Sequence, residues 1–250
     1  MAEGSLNGLR ALVTGGGAGI GKAITACLRR EGATVLVVDA DAATTPDVVA
    51  DVSSTPGVDE VFAAVAARLG GLDLLVNNVG VAGPTALVQD MDPDAFDRCV
   101  QVNLGSAFRC TRLAVPLLKA SKGSIVNISS TAGLFGFPLR SPYAAAKWGV
   151  IGMTKTWAME LGEFGVRVNA ICPGSVSGPR MDGVIEREAA AVGVEPAAIR
   201  QAYTDQVSMR SFIDASDIGE AIVFLASPAA RFVSGQVLSV DGHTETLSTR

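Results

Sequence analysis

Histidine is almost missing from this sequence: His243, close to its end, is the only one. A metal centre built on imidazoles has nothing to work with, and a serine-histidine-aspartate relay would have to use that one ring. Cysteine is scarce too. Cys27, Cys99, Cys110 and Cys172 contain no Cys-x-x-Cys pair, which supports neither a disulfide framework nor a zinc site, so no metal is expected. Cys27, Cys99 and Cys110 fall in predicted helices, where thiols pack as small apolar groups. There is no basic run, and a net charge of -5 with a pI near 5.0 argues against nucleic acid or an anionic membrane as partner. No apolar run reaches spanning length, and the first residues lack the basic-then-apolar pattern of a leader. The reading is cytoplasmic, with no membrane partner.

What is abundant is apolar surface and glycine, at 48% hydrophobic residues and 28 glycines. That mixture suits buried parallel strands joined by tight turns. A length of 250 residues fits one large α/β domain, 1–250, better than two small ones. Short apolar strands at Leu9 to Val13, Thr34 to Val38, Val48 to Ala50, Asp73 to Val76, Gly123 to Ile128, Val166 to Ile171 and Gly235 to Val240 alternate with helical stretches. Such alternation predicts a Rossmann-type, doubly wound parallel sheet with helices on both faces. One helix is expected to run unbroken from about Asp94 to Lys119, with Asn103 in the middle of its apolar face. A buried amide there is either satisfied locally or belongs to a polar network that reaches a site. Between about 175 and 211 the pattern lapses into an insert with two short helices, the second starting at Glu195-Pro196. Lying past a strand end, it reads as a substrate lid. It carries Arg180, Arg187, Arg200 and Arg210, any one of which would suit a carboxylate or phosphate, although solvated helix faces explain most surface arginines.

Chemistry concentrates at Ser130, Tyr143 and Lys147. The four-residue gap between Tyr143 and Lys147 puts both side chains on one helix face, a turn apart. An ordinary tyrosine titrates near pH ~10, so it takes a proton at neutral pH only if a positive charge stabilises its phenolate. Lys147 supplies that charge. Ser141 before Pro142 reads as a helix cap followed by a first-turn proline, which adds the helix dipole to the same effect. With two tyrosines and five lysines in the chain, a chance Tyr-x-x-x-Lys is expected roughly 0.04 times, so coincidence is a poor explanation. Ser130 stands just past a strand end, where open α/β sheets bind ligands, and its hydroxyl is suited to hold a substrate oxygen.

A second constellation is a phosphate cradle. The first strand runs into Thr14-Gly-Gly-Gly-Ala-Gly-Ile-Gly21 and then into a helix through about Arg30. Gly15, Gly19 and Gly21 allow a tight turn and a close backbone approach, with the helix N-terminus facing the anion. The next strand ends at Asp39, an acid placed to accept both adenosine ribose hydroxyls and to repel a 2′-phosphate, and Ala18 offers that phosphate no cation. This points to NAD. Asp39 also reads as a turn aspartate, since Asp41 follows closely and is placed to share the role. Asp51-Val52 follows a third strand and is placed to meet the adenine edge, and Asn77-Asn78-Val79-Gly80 follows a fourth on the ligand edge, although that run also reads as a plain turn.

The order and spacing of Thr14 to Gly21, Asn77 to Gly80, Asn103, Ser130, Tyr143, Lys147 and Pro173-Gly174 closely resemble the classical short-chain dehydrogenase/reductase family, over about Gly8 to Gly242. The resemblance implies Tyr143 as general acid/base, Ser130 orienting the substrate oxygen, Lys147 holding the nicotinamide ribose and lowering the tyrosine pKa, and Asn103 shaping a water relay to Lys147. It implies cofactor contacts from Gly15, Gly17, Ala18, Gly19, Ile20, Gly21, Asp39, Asp51, Val52, Asn78, Val79, Gly80, Tyr143, Lys147, Pro173, Gly174 and Val176. It also implies pairing through the two long helices into dimers or tetramers. Two positions depart from the family pattern: Gly178 replaces a frequent threonine, for which Ser175 or Ser177 is the available substitute, and Val79 replaces alanine.

The leading expectation is an NAD-dependent enzyme interconverting a secondary alcohol and its ketone. An NADPH-preferring ketoreductase and a non-catalytic nucleotide sensor are the alternatives. Leu134, Phe135, Val81 and the lid suggest an apolar pocket for a cyclic, aromatic, steroid-like or sugar-derived alcohol.

Overall fold

The computed structural model describes residues 4–247. Its strands are β1 (Arg10–Thr14), β2 (Thr34–Asp39), β3 (Val48–Val49), β4 (Leu74–Asn77), β5 (Ser124–Ile128), β6 (Arg167–Pro173) and β7 (Val237–Val240). They form one sheet in the order β3-β2-β1-β4-β5-β6-β7, every neighbouring pair parallel. Side chains alternate between two apolar layers. Leu12, Leu36 and Val38 enter one, while Ala11, Val13, Val35 and Val37 enter the other. Because both layers are covered, the strands are apolar at successive positions rather than at every second one.

Helices α1 (Gly19–Arg30) and α8 (Ala215–Ala226) cover one face through Ile24, Leu28, Ile218, Ile222 and Leu225. The opposite face is covered by α2 (Thr55–Leu69), α4 (Ser106–Ser121) and the end of α5 (Ser141–Leu161). Removing a side chain such as Leu12 or Leu75 from water contributes about 1.5–3 kcal/mol, which is why these short strands hold together.

The chain leaves β1 outward to β2 and β3, then returns to lay β4 on the other side of β1. The C-terminal ends of β1 and β4 therefore flank the point where strand order reverses, the position at which such sheets bind ligands.

Two expectations are corrected. The helix expected to be unbroken is α3 (Pro93–Val100), a π-helical turn at Gln101–Gly105, and then α4. Asn103 lies inside that turn and its Nδ2 donates to the Cys99 carbonyl at 2.8 Å, the acceptor that the regular backbone ladder would otherwise use. Ser141 is not a cap. Helix α5 begins at Ser141 itself, with Arg140 at the N-cap position and no side-chain cap. The preceding Leu139 is left-handed, φ 66°, which turns the chain one residue earlier than the Ser-Pro pair suggests.

Between β6 and α8 the insert folds into α6 (Pro179–Val192) and α7 (Pro196–Asp205), the latter starting at the expected Glu195-Pro196. It has a small core of its own from Ile185, Ala189, Ile199 and Tyr203, closed by Phe137, Met181 and Phe212. Among the described residues, no helix is long and apolar enough to cross a membrane.

Candidate active site

The glycine turn is shaped by contacts that a side chain would prevent. Gly15 and Gly19 have φ of 61° and 50°. A Cβ on Gly21 would lie 1.9 Å from the Gly15 carbonyl oxygen, and one on Gly17 would lie 2.0 Å from Thr44 Oγ1. Helix α1 then starts at Gly19 after Ala18, with no side-chain cap and no acid in its first turn. The first amides, including those of Ile20 and Gly21, thus have no competing anion and suit a pyrophosphate.

Asp39 closes this turn from the next strand. Its Oδ2 accepts the Gly17 N–H at 3.0 Å and its Oδ1 the Asp41 N–H at 3.1 Å, so the carboxylate is held at the lip of the cradle. Asn78 fixes the loop that follows β4. Its Nδ2 donates to the carbonyls of Thr14 (3.1 Å) and Gly15 (2.9 Å), and its backbone N–H to Thr14 Oγ1 (3.1 Å), stapling the β4 loop to the glycine turn. Asn77 turns inward, to Asn127 and Thr111. Asp51 accepts the Ser53 N–H at 2.8 Å, while the Val52 side chain is buried in the core, leaving only its backbone for a ligand.

The catalytic candidates converge at the ends of β4 and β5. Lys147 is buried and its Nζ donates to the Ile128 carbonyl at 2.9 Å, which anchors the ammonium to the strand that leads to Ser130. Its Nζ lies 5.6 Å from the centre of the Tyr143 ring. Burial pushes the Tyr143 pKa up, but Lys147, Arg180, a hydrogen bond from Ser130 and Arg140 together bring it below the ordinary tyrosine value. Burial pulls Lys147 below its ordinary value, against the attraction of Tyr143. Asn103 is buried, and its Nδ2 donates to Cys99 and Val81 carbonyls at 2.8 and 3.1 Å. Its Oδ1 has no partner and points to the place where a Gly80 Cβ would be, 2.6 Å from that position, with Lys147 Nζ 3.4 Å from the same position. The amide is both locally satisfied and open toward the site.

At the end of β6, Gly174 donates its N–H to Val240 at 3.0 Å, and a Cβ there would press on Asp241. Val176 pairs with Ile213 as an isolated bridge. Gly178 has φ 131°, a conformation L side chains rarely adopt, so this backbone has no place for the family's threonine. Ser175 and Ser177 tie the segment to Ile213 through their backbones.

Of the insert's arginines, Arg200 pairs with Asp182 and Arg210 with Asp205. Arg180 alone of the four reaches the strand-end loops, donating to the Gly80 carbonyl at 3.0 Å. Arg180 and Arg140 both act on the Tyr143 phenol. Arg140 belongs to no motif of its own in the sequence. Its signal was its place three residues before Tyr143. Tyr203, which the sequence places in the insert, is buried there and its hydroxyl donates to Glu188 at 2.7 Å. The His243 ring meets Ser208 Oγ at 2.7 Å on the surface. All four cysteines are buried and unpaired, with burial pushing each thiol up, Cys110 to about 12. Among the described residues, no group of three or more candidate ligands is arranged for a metal.

Against known proteins, residues 15–243 match a family profile described as enoyl-(acyl carrier protein) reductase. A 3-oxoacyl-[acyl-carrier-protein] reductase from Thermotoga maritima is 35% identical, the alignment covering 95% of this chain and 98% of that protein. A D-beta-hydroxybutyrate dehydrogenase from Cupriavidus necator is 37% identical over the same shares, 95% and 98%. Among solved structures, an NAD+-bound xylitol dehydrogenase superposes with a TM-score of 0.90 at 29% identity, covering 95% of this chain and 99% of the other.

Proposed function

The chain belongs to the classical short-chain dehydrogenase/reductase family and is an oxidoreductase, and we propose that it is an NAD-dependent enzyme interconverting a secondary alcohol and its ketone. The observation that carries this is Tyr143, its pKa lowered beside Lys147 and Ser130, at the edge where the glycine turn and the β4 loop meet. The glycine cradle, the uncapped start of α1 and Asp39 fit a dinucleotide without a 2′-phosphate. The NAD+ bound to the xylitol dehydrogenase supports the same choice.

In this reading Gly15, Gly17, Ala18, Gly19, Ile20 and Gly21 hold the pyrophosphate, and Asp39 holds the adenosine ribose. Asp51 and the Val52 backbone face the adenine; Asn78, Val79, Gly80, Pro173, Gly174 and Val176 line the nicotinamide end. When bound, the nicotinamide supplies the hydride acceptor for oxidation or the donor for reduction. Ser130 orients the substrate oxygen, and Tyr143 takes its proton at the phenol oxygen during oxidation and returns it during reduction. Lys147 keeps the phenolate accessible near neutral pH and holds the nicotinamide ribose. Asn103 Oδ1 has no partner and lies, like Lys147 Nζ, beside Gly80, which is consistent with a water relay between them. The insert acts as a lid that excludes bulk water.

A reductase on an acyl-carrier substrate is the second reading, favoured by the name of the Thermotoga maritima relative. The four unpaired cysteines suit a reducing compartment, the cytoplasm. Phe108 on α4 and Trp148 and Met159 on α5 are exposed at 52, 52 and 86%, which suits a homodimer or homotetramer joined through those helices.

The test is the initial rate of cofactor reduction with NAD or NADP across a panel of secondary alcohols, with Tyr143→Phe beside the parent. NAD preference, and a rate at least about 10²-fold lower in the variant, support the proposal. Preference for NADP overturns the role given to Asp39. Cofactor binding without turnover of any alcohol or ketone favours a sensor.

A further inference from the structure

Arg140 is a buried charge without a counterion. It is 3% exposed, and among the described residues no carboxylate lies within ion-pair distance of it. The Ala82 carbonyl accepts one bond from Nη2 at 2.5 Å, while Nε and Nη1 are buried with no acceptor. Native proteins rarely leave such donors unmet, and a guanidinium cannot escape by losing its proton. Its neighbours do not neutralise it. The guanidinium carbon lies 5.2 Å from the centre of the Phe137 ring and 5.3 Å from that of Tyr143. The charged groups facing it include Arg187, whose repulsion adds to the cost. Tyr203 also faces it, but its hydroxyl is already given to Glu188. Removing one partner from a buried ion pair is strongly destabilising, so an arginine kept in this state marks a place where the partner arrives with the ligand.

The position says which ligand. Arg140 sits between Tyr143 and Phe137, which packs against the insert, and so lies over the substrate side rather than over the glycine turn. We propose that the alcohol or ketone handled by this protein carries a carboxylate a few bonds from the reacting carbon, and that Arg140 binds it. This rests on the reading of Tyr143 as the acid/base: the reacting oxygen meets Tyr143 while the acid meets Arg140, and the distance between the two side chains admits only a short link. A flat, two-oxygen anion matches a guanidinium held beside two aromatic rings. Arg180, joined to the Gly80 carbonyl, adds positive potential over the same space.

The experiment uses matched pairs: straight-chain hydroxy acids with the hydroxyl alpha, beta or gamma to the carboxylate, and their methyl esters. The parent, Arg140→Met and Arg140→Lys are compared with the preferred nicotinamide, kcat and KM being measured separately. The acid of the best pair is expected to exceed its ester roughly 10- to 100-fold in kcat/KM in the parent, chiefly through KM. That ratio falls toward one in Arg140→Met and is partly kept in Arg140→Lys. Equal use of acid and ester by the parent, or a ratio that Arg140→Met leaves unchanged, overturns the inference and leaves the dehydrogenase reading intact. In parallel, butyrate and propane-1-sulfonate are tested for raising the melting temperature with NADH present. If no alcohol turns over but butyrate protects the parent and not Arg140→Met, the carboxylate site stands and the dehydrogenase reading falls. Stronger protection by the sulfonate, or butyrate protection that does not depend on Arg140, overturns the carboxylate assignment. Should Arg140→Met fail to fold, Arg140→Lys and the parent's acid-to-ester ratio decide.

Discussion

The strand-end edge of the sheet and the insert that follows β6 hold their polar groups by opposite means. At the edge the groups are backbone amides and short side chains, each tied to a neighbouring strand: Asn78 to Thr14 and Gly15, Lys147 to Ile128, Asp39 to Gly17. In the insert they are long side chains on two helices whose own core is only Ile185, Ala189, Ile199 and Tyr203 with a few flanking residues. The edge is rigid because moving one group disturbs the sheet. The insert joins the rest of the molecule at a few separate points, the Val176–Ile213 and Val207–Thr244 bridges and the Arg180 bond to the Gly80 carbonyl among them. A rigid edge suits a cofactor common to a family, and a separable insert suits a substrate that differs between members.

That contrast is open to test, first at the edge. Lys147→Met is expected to lower kcat for oxidation by about 10²- to 10⁴-fold at neutral pH. The sign with pH follows from Tyr143: its pKa is lowered, and under the proposed mechanism the unprotonated phenol accepts the proton, so the rate is expected to rise with pH and level off below the ordinary tyrosine range. Without Lys147 the plateau moves upward, and a kcat profile that stays in place would remove the ammonium from the mechanism.

Gly21→Ala comes next. The added methyl would meet the Gly15 carbonyl at 1.9 Å, so a loss of about 1–3 kcal/mol of stability is expected, with weaker NADH binding in a fluorescence titration. Full stability and unchanged binding would show the turn to be softer than the contrast requires.

In the insert, Tyr203→Phe removes the 2.7 Å bond to Glu188 at a cost of about 1 kcal/mol. The effect should stay local: faster amide exchange over 179–205 and a several-fold higher KM, with kcat and β-strand exchange unaltered. Exchange that rises equally in the strands would join the two regions into one cooperative unit.

The smallest effect is expected at the far edge of the same strands. There Asp73 accepts from Arg10 Nε and Nη2 at 2.8 and 2.9 Å and from the Arg10 amide at 2.8 Å, and the guanidinium bond lowers its pKa. Both side chains are partly exposed, at 34 and 23%, so the pair contributes at most about 1 kcal/mol. A lowered folded-state pKa means that protonation favours unfolding. The contribution is present above the unfolded carboxylate value, about 3.9, and fades as pH falls through the folded one. Melting curves of Asp73→Asn and the parent should differ at neutral pH and converge in acid, with activity the same in both.

Much of the edge was legible beforehand because its signals are local. A strand followed by Gly15, Gly19 and Gly21, and Tyr143 one turn from Lys147, each lie within a few residues, and their meaning depends on short-range geometry. Asn103 was legible as a buried amide and, through the family resemblance, as part of a water relay. That it opens a π turn depends on its reaching the Cys99 carbonyl, and that its Oδ1 faces Lys147 depends on where β4 delivers Gly80. Gly178 read as a missing threonine, whereas its φ of 131° makes it a backbone requirement.

Periodicity and composition, then, determined by themselves that this chain builds a parallel sheet with helices on both faces, since burying both faces of each strand demands apolar residues at successive positions. They also determined the order in which the turns reach one edge, because strand ends and glycines are written in the chain. Tertiary structure alone decided which charges remain unpaired there. Arg140 and Arg200 are the same residue type in the sequence, yet one ends buried against Phe137 and Tyr143 without a carboxylate and the other pairs with Asp182 on the surface. The physical reason is that the energy of a charge depends on every group packed around it, and those groups come from parts of the chain that only folding brings together.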